Sequence, residues 1–219
     1  MNRTMLLMLM YALVAACATS PTGRSQLMLI SPQAAVVESK KAYLSTVSEL
    51  DKKNKLVNDP ALAKRVATIT GRLVTVAIAK FPETANWEWS VAIIDEPKVV
   101  NAWCMAGGRM ALYTGLIMKV DPTDDELAQV MGHEIAHALA NHTAERMSTA
   151  MAANAGILAA GLISDNPGQA MAMTAAAATV AIKLPNSRTA ENEADQIGMD
   201  LAARAGYDPR AAVTLWQKM

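Results

Sequence analysis

The residues best suited to chemistry are His133-Glu134-Ile135-Ala136-His137, an H-E-x-x-H pattern. Residues four apart on an α-helix lie about 40° apart around its axis, so both imidazoles point the same way. Two neutral imidazoles on one face suit Zn²⁺, and Glu134 between them can reach a water held by the metal. The competing reading is a helix that carries two surface histidines and an acid. Thr123-Asp124-Asp125-Glu126 fits a capping box, with Pro122 before it and two acids at the positive end of the helix dipole. Leu127, Val130, Met131, Ile135, Ala138 and Leu139 recur with helical spacing, which predicts a helix from about Asp124 to about Met147.

Two histidines and a water leave one protein ligand missing from a catalytic zinc site. His142 does not fit, because five residues past His137 is roughly 140° around the same helix. Ala140 and Thr143 stand where a metzincin extension needs glycine and histidine. The missing ligand is therefore expected from another element. Thr189 reads as an N-cap, and Glu191-Asn192-Glu193-Ala194-Asp195 as the start of a second helix. Glu191 and Asp195 share a face, with small Ala194 and Gly198 on or beside it, which would let this helix approach the first. Glu193 falls about 200° from Glu191 and should face away. Glu191 is the candidate third ligand, and Asp195 the acceptor for a ligand imidazole N–H. The alternative is an acid-rich first turn that only complements the dipole.

At this point the chain resembles the HtpX/BepA/LoiP group of zinc metallopeptidases, which also includes Oma-type and CaaX prenyl proteases. The resemblance rests on Gly132 to His137 with Glu191-x-x-Ala194-Asp195, and on Asn101-Ala102-Trp103-Cys104-Met105 with Gly107-Gly108. It also rests on Thr22-Gly23-Arg24, Gln26-Leu27, Tyr113-Thr114-Gly115, Ser187-Arg188 and Gly206-Tyr207-Asp208-Pro209. It implies a gluzincin-type endopeptidase with one zinc per chain, Glu191 as ligand and Glu134 as general base. It also implies an edge strand beside the zinc that receives the substrate backbone, with Asn101, Ala102 and Met105 as candidates through strand addition. The expected substrates are misfolded or misassembled envelope proteins, with the outer-membrane assembly machinery as a further partner. Relatives continue into a segment with a His-Pro and a later arginine. The helix opened by Asp208-Pro209 reaches Met219 with no cap, so the chain is expected to be truncated there or to depart from the family.

Residues 1–16 combine Arg3 with an apolar run too short to span a bilayer, which reads as a signal peptide. Leu13-Val14-Ala15-Ala16-Cys17 resembles a bacterial lipoprotein signal, so Cys17 is the expected lipidation site. Ala18, where an aspartate would otherwise retain such a protein, points to the outer membrane, with the domain facing the periplasm. The alternative is an ordinary cleaved signal with an incidental cysteine. Residues 17–30 are then a linker and 31–219 a metallopeptidase domain. Lys+Arg and Asp+Glu are both 20, so charge gives no reason to expect a nucleic-acid partner. Of the two cysteines, Cys104 has no partner once Cys17 is acylated, and its apolar setting argues against a catalytic thiol.

The expected fold class is α+β: a mainly helical, zincin-like metalloprotease domain with a small sheet of about three strands beside the H-E-x-x-H helix. Ser31-Pro32 and Asp59-Pro60 predict helices over roughly 32–53 and 60–80. Trp87 to Ile94, Val99 to Met105 and Arg109 to Tyr113 predict short strands, with Gly107-Gly108 as a turn. Residues 150–184 are rich in Ala, Met and Gly, nearly uncharged, and broken at Asn166-Pro167-Gly168. They read as a mobile helical hairpin beside the active site, as hydrophobic core, or as a membrane hairpin. A non-proteolytic zinc lipoprotein acting as a periplasmic chaperone or assembly factor is the alternative function. A membrane-embedded protease of different topology is the other.

Overall fold

Local signals open the first helices where the sequence places them. In the computed structural model, which describes residues 17–183 and 185–218, α1 covers Pro32–Lys52 and α2 covers Pro60–Lys80. The leader read over residues 1–16 lies outside the described residues. The Ser31 hydroxyl accepts from the Ala34 N–H at 3.1 Å. The Asp59 carboxylate accepts from the Ala61 and Leu62 N–H groups at 2.8 and 3.2 Å, which satisfies two donors a helix start leaves open. Val66, Ile69, Leu73 and Ala77 form the buried stripe of α2.

The chain divides into two compact units, Val36–Ala140 with Asn192–Met219, and the residues up to Ala35 with Asn141–Glu191. The first is built on a three-stranded sheet of β3 (Ser90–Ile94), β4 (Ala102–Met105) and β5 (Arg109–Tyr113). The strand order is β3-β5-β4, with β3 parallel and β4 antiparallel to central β5. β4 is thus an edge strand. The strands are shorter than the sequence suggests, because Trp87 and Trp89 lie before β3 as a tilted ring pair 5.2 Å apart. Gly108 has φ +81° and lets the turn settle on Trp89; a Cβ there would stand 2.5 Å from that ring. Helix α3 (Thr114–Val120) follows, then α4 (Asp124–Leu139), α7 (Pro185–Arg204) and α8 (Ala211–Lys218). α4 packs against α2, β4 and α8, and Leu127, Met131 and Ile135 are fully buried in the core with Leu73, Leu112 and Leu201.

The other unit holds a two-stranded antiparallel hairpin, β1 (Cys17–Thr19) and β2 (Ser25–Leu27), where the sequence suggests only a linker. It also holds α5 (His142–Ile163), α6 (Pro167–Lys183) and α7 up to Glu191. The Arg24 guanidinium makes paired bonds of 2.6 and 2.7 Å to the Glu145 carboxylate on α5, and the Gln26 amide adds one of 3.0 Å. Helices α5 and α6 pack on each other, with the Gly161 Cα so close to Met171 that a Cβ would meet its sulfur at 2.7 Å. The two packed helices expected of a hairpin are therefore present, and the break between them falls at residues 164–166. Leu158 and Leu162 are 60% and 87% exposed, which does not match hydrophobic core. Among the described residues no helix is long and apolar enough to cross a membrane.

Candidate metal centre

The helix that carries His133 and His137 begins as its sequence dictates. The Thr123 hydroxyl accepts from the Glu126 N–H at 3.2 Å, and the Glu126 carboxylate accepts from the Thr123 N–H at 2.8 Å. The helix does not run to Met147. It stops at Leu139, because Ala140 leaves helical geometry and Asn141 adopts a left-handed conformation with φ 56°. Asparagine tolerates that region, and periodicity alone does not register it. His142 then begins α5 and is 2% exposed. The angular reason for setting it aside fails with the helix break, yet it is not in the cluster of potential metal ligands.

The second helix also differs at its start. α7 opens at Pro185, not after a Thr189 cap, in keeping with the preference of proline for the first helical position. Its first turn consequently holds no acid, so Glu191 and Glu193 are not there to complement the dipole. Glu191 is exposed, whereas Glu193 is buried.

Helices α4 and α7 meet at two glycines. A Cβ on Gly198 would lie 2.7 Å from the His133 backbone nitrogen, and one on Gly132 would lie 2.9 Å from the Gly198 carbonyl oxygen. Ala194 is fully buried beside them. This close approach brings Asp195 Oδ1 to 2.8 Å from His133 Nδ1. A carboxylate only accepts, so Nδ1 carries the proton, and in the neutral ring Nε2 is left with its lone pair.

That lone pair faces His137, whose Nε2 is 3.1 Å from His133 Nε2. Two nitrogen ligands around a tetrahedral zinc are about 3.3 Å apart, given Zn–N bonds of about 2.05 Å. Glu191 stands one turn before Asp195, and one ligand atom from each of His133, His137 and Glu191 lies within 4.8 Å of the others. Donor chemistry and spacing both fit a divalent metal of the zinc type.

Glu134 lies between the two histidines in sequence. Cys104 on β4 is buried, and burial pushes its thiol far above its usual range, with the Glu134 charge pushing the same way. A thiol held protonated is a poor nucleophile, as its apolar setting suggests. Cys17 and Cys104 form no disulfide, and Cys17 is exposed on β1.

The edge strand beside α4 has a definite polarity. The Tyr113 N–H donates to the Asn101 carbonyl at 3.1 Å, and the Gly108 N–H to the Met105 carbonyl at 3.1 Å. Asn101 and Met105 therefore turn their backbone groups towards β5. Alternation leaves Ala102 and Cys104 facing the open edge. Of the three expected strand-addition residues, only Ala102 faces outward, and Cys104 is the second outward residue that the sequence did not single out.

The family model described as "Peptidase family M48" matches residues 60–219. The chain is 37% identical over 133 residues to the "Mitochondrial metalloendopeptidase OMA1" of Arabidopsis thaliana, covering 60% of this chain and 26% of that protein. It is 31% identical over 208 residues to the bovine "Metalloendopeptidase OMA1, mitochondrial", covering 90% and 38%. It is 30% identical over 172 residues to the "Beta-barrel assembly-enhancing protease" of Escherichia coli (strain K12), covering 75% and 34%. The chain thus spans a quarter to two fifths of the length of these curated relatives.

Proposed function

Because the chain belongs to peptidase family M48, we propose that it is a zinc-dependent endopeptidase of the bacterial cell envelope. The observation that carries this is the convergence of His133, His137 and Glu191 ligand atoms within 4.8 Å, with Glu134 on the same helix as both histidines. His133 and His137 would hold the zinc through Nε2, and Glu191 through a carboxylate oxygen. Asp195 keeps the His133 ring turned and its proton on Nδ1. A zinc ion there would supply Lewis acidity, making water a better nucleophile and the peptide carbonyl a better electrophile. Glu134 takes a proton from the water as its oxygen bonds to the carbonyl carbon. It returns that proton to the amide nitrogen as the C–N bond breaks. The substrate strand lies along the open edge of β4, which the outward backbone groups of Ala102 and Cys104 support.

The compartment and the substrate class are read from the chain's first residues and from its likeness to the assembly-enhancing protease. Cys17 would carry the lipid that anchors the domain to the outer membrane, facing the periplasm. The substrates would be misfolded or misassembled envelope proteins. Cys17 is exposed on β1, in the β1–β2 hairpin, where it pairs with Leu27.

The test is casein cleavage by the purified protein with its metal content measured. The expected result is about one zinc per chain, cleavage abolished by a chelator, and a Glu134→Gln variant that keeps its zinc but loses cleavage. Turnover by Glu134→Gln at the wild-type rate would remove the proton-transfer role from Glu134. Metabolic labelling with palmitate, expected to disappear in Cys17→Ala, checks the anchor.

A further inference from the structure

The open edge of β4 is already occupied in part by the protein itself. Ala102 directs its backbone away from β5, yet its N–H donates to the Asn101 side-chain carbonyl at 2.9 Å. That is the bond a substrate backbone carbonyl would make on joining the strand. Ala102 and Cys104 turn their side chains into the core and are only 5% and 7% exposed. Their backbone groups are therefore what an incoming strand can meet. Asn101 itself is exposed, and its own carbonyl is held by Tyr113, so the side chain can swing while the backbone stays fixed.

We infer that Asn101 is a positioning residue that caps the substrate-receiving edge. Its amide oxygen stands in for the first substrate carbonyl, satisfies the Ala102 N–H in the free protein, and is displaced when a peptide docks. An unpaired edge donor would otherwise invite any extended chain, including a second copy of this one. The cap lowers affinity for short extended peptides uniformly, since one hydrogen bond must break before another forms. It selects for substrates that pair along the edge at both Ala102 and Cys104. This inference rests on the endopeptidase reading for its use, but not for its physical test.

Two measurements separate it from that reading. Backbone amide hydrogen exchange of the free, zinc-loaded protein should show the Ala102 N–H protected in wild type. In Asn101→Ala it should exchange about fivefold faster, the loss of a bond with a net worth near 1 kcal/mol. Asn101→Asp keeps an acceptor and should retain protection. In casein cleavage, Asn101→Ala should lower KM about two- to tenfold with kcat little changed, because the competing acceptor is gone. A raised KM in Asn101→Ala would show that the side chain holds substrate directly and would overturn the cap. Unchanged exchange at Ala102 would overturn it equally, whether or not the protein cleaves casein. Absence of any casein cleavage by wild type, with faster Ala102 exchange in Asn101→Ala, would sink the endopeptidase reading and leave the cap standing.

Discussion

At the residue scale, the most consequential contact is the 2.8 Å bond between His133 Nδ1 and Asp195. Metal affinity depends on which ring nitrogen keeps the proton, and only an acceptor on Nδ1 leaves Nε2 ready to bind. Asp195→Ala should therefore weaken zinc binding about 10- to 100-fold without unfolding the helix, a range typical for loss of such an outer partner. Competition against a chromophoric chelator measures this directly, and an unchanged dissociation constant would show that packing alone orients the ring. Glu191→Ala would remove a proposed ligand instead of its support, so its loss of affinity should exceed that of Asp195→Ala in the same titration. The shared face of Glu191 and Asp195 was legible in the sequence, because a four-residue spacing on a helix fixes it. The carbonyl that Asn101 places on Ala102 was not legible, since strand register decides which backbone groups face the edge, and register is a non-local property.

At the element scale, the site depends on how closely α4 and α7 can pass. Gly198 has no room for a side chain: a Cβ would stand 2.7 and 2.8 Å from His133 backbone atoms. Those are main-chain atoms of a buried helix, and they cannot move aside as a flexible side chain would. Gly198→Ala should push the helices apart, cost about 1–3 kcal/mol in stability, and lower zinc affinity together with it. Urea denaturation of the metal-free protein reads the first effect, and chelator competition the second. An alanine variant as stable as wild type would show that α7 can slide without harm. The starts of α1, α2 and α4 were legible because a proline or a capping box acts within one turn. The end of α4 was not, because a single left-handed residue, Asn141, interrupts an apolar, helix-like run. The start of α7 was misplaced for a related reason: Thr189 has the right side chain for a cap, but Pro185 has the prior claim. The motif residues Arg24 and Gln26 could be quoted but not explained from sequence. Their partner, Glu145, is 119 to 121 positions away.

At the scale of the whole molecule, the formal charge is zero, yet particular carboxylates are bound far more firmly than an even balance suggests. Glu126 is 2% exposed, and burial alone would raise its pKa. The Lys218 ammonium at 2.6 Å, the Thr123 N–H and the Thr214 hydroxyl outweigh that and hold it at about 2, against an ordinary value of 4.5. One side chain thus closes the capping box of α4 and fastens α8 to it. Lys80 and Arg204 similarly hold Asp200 below its usual range, joining α2 to α7. A carboxyl whose pKa is lower in the folded chain contributes stability above its unfolded value and loses it as the folded group takes up a proton. For Glu126 that window runs from about pH 4.5 down to about 2. Wild type should therefore lose stability steeply across it, whereas Glu126→Gln should be less stable at neutral pH and change less with acid. The two urea midpoints should converge as pH approaches 2. Both proteins are compared metal-free, so that release of zinc from protonated ligands does not enter the difference. Parallel curves, with the same gap at pH 7 and at pH 2.5, would mean that Glu126 stabilises by shape and hydrogen bonding alone, and that its charge contributes nothing to holding α8 against α4.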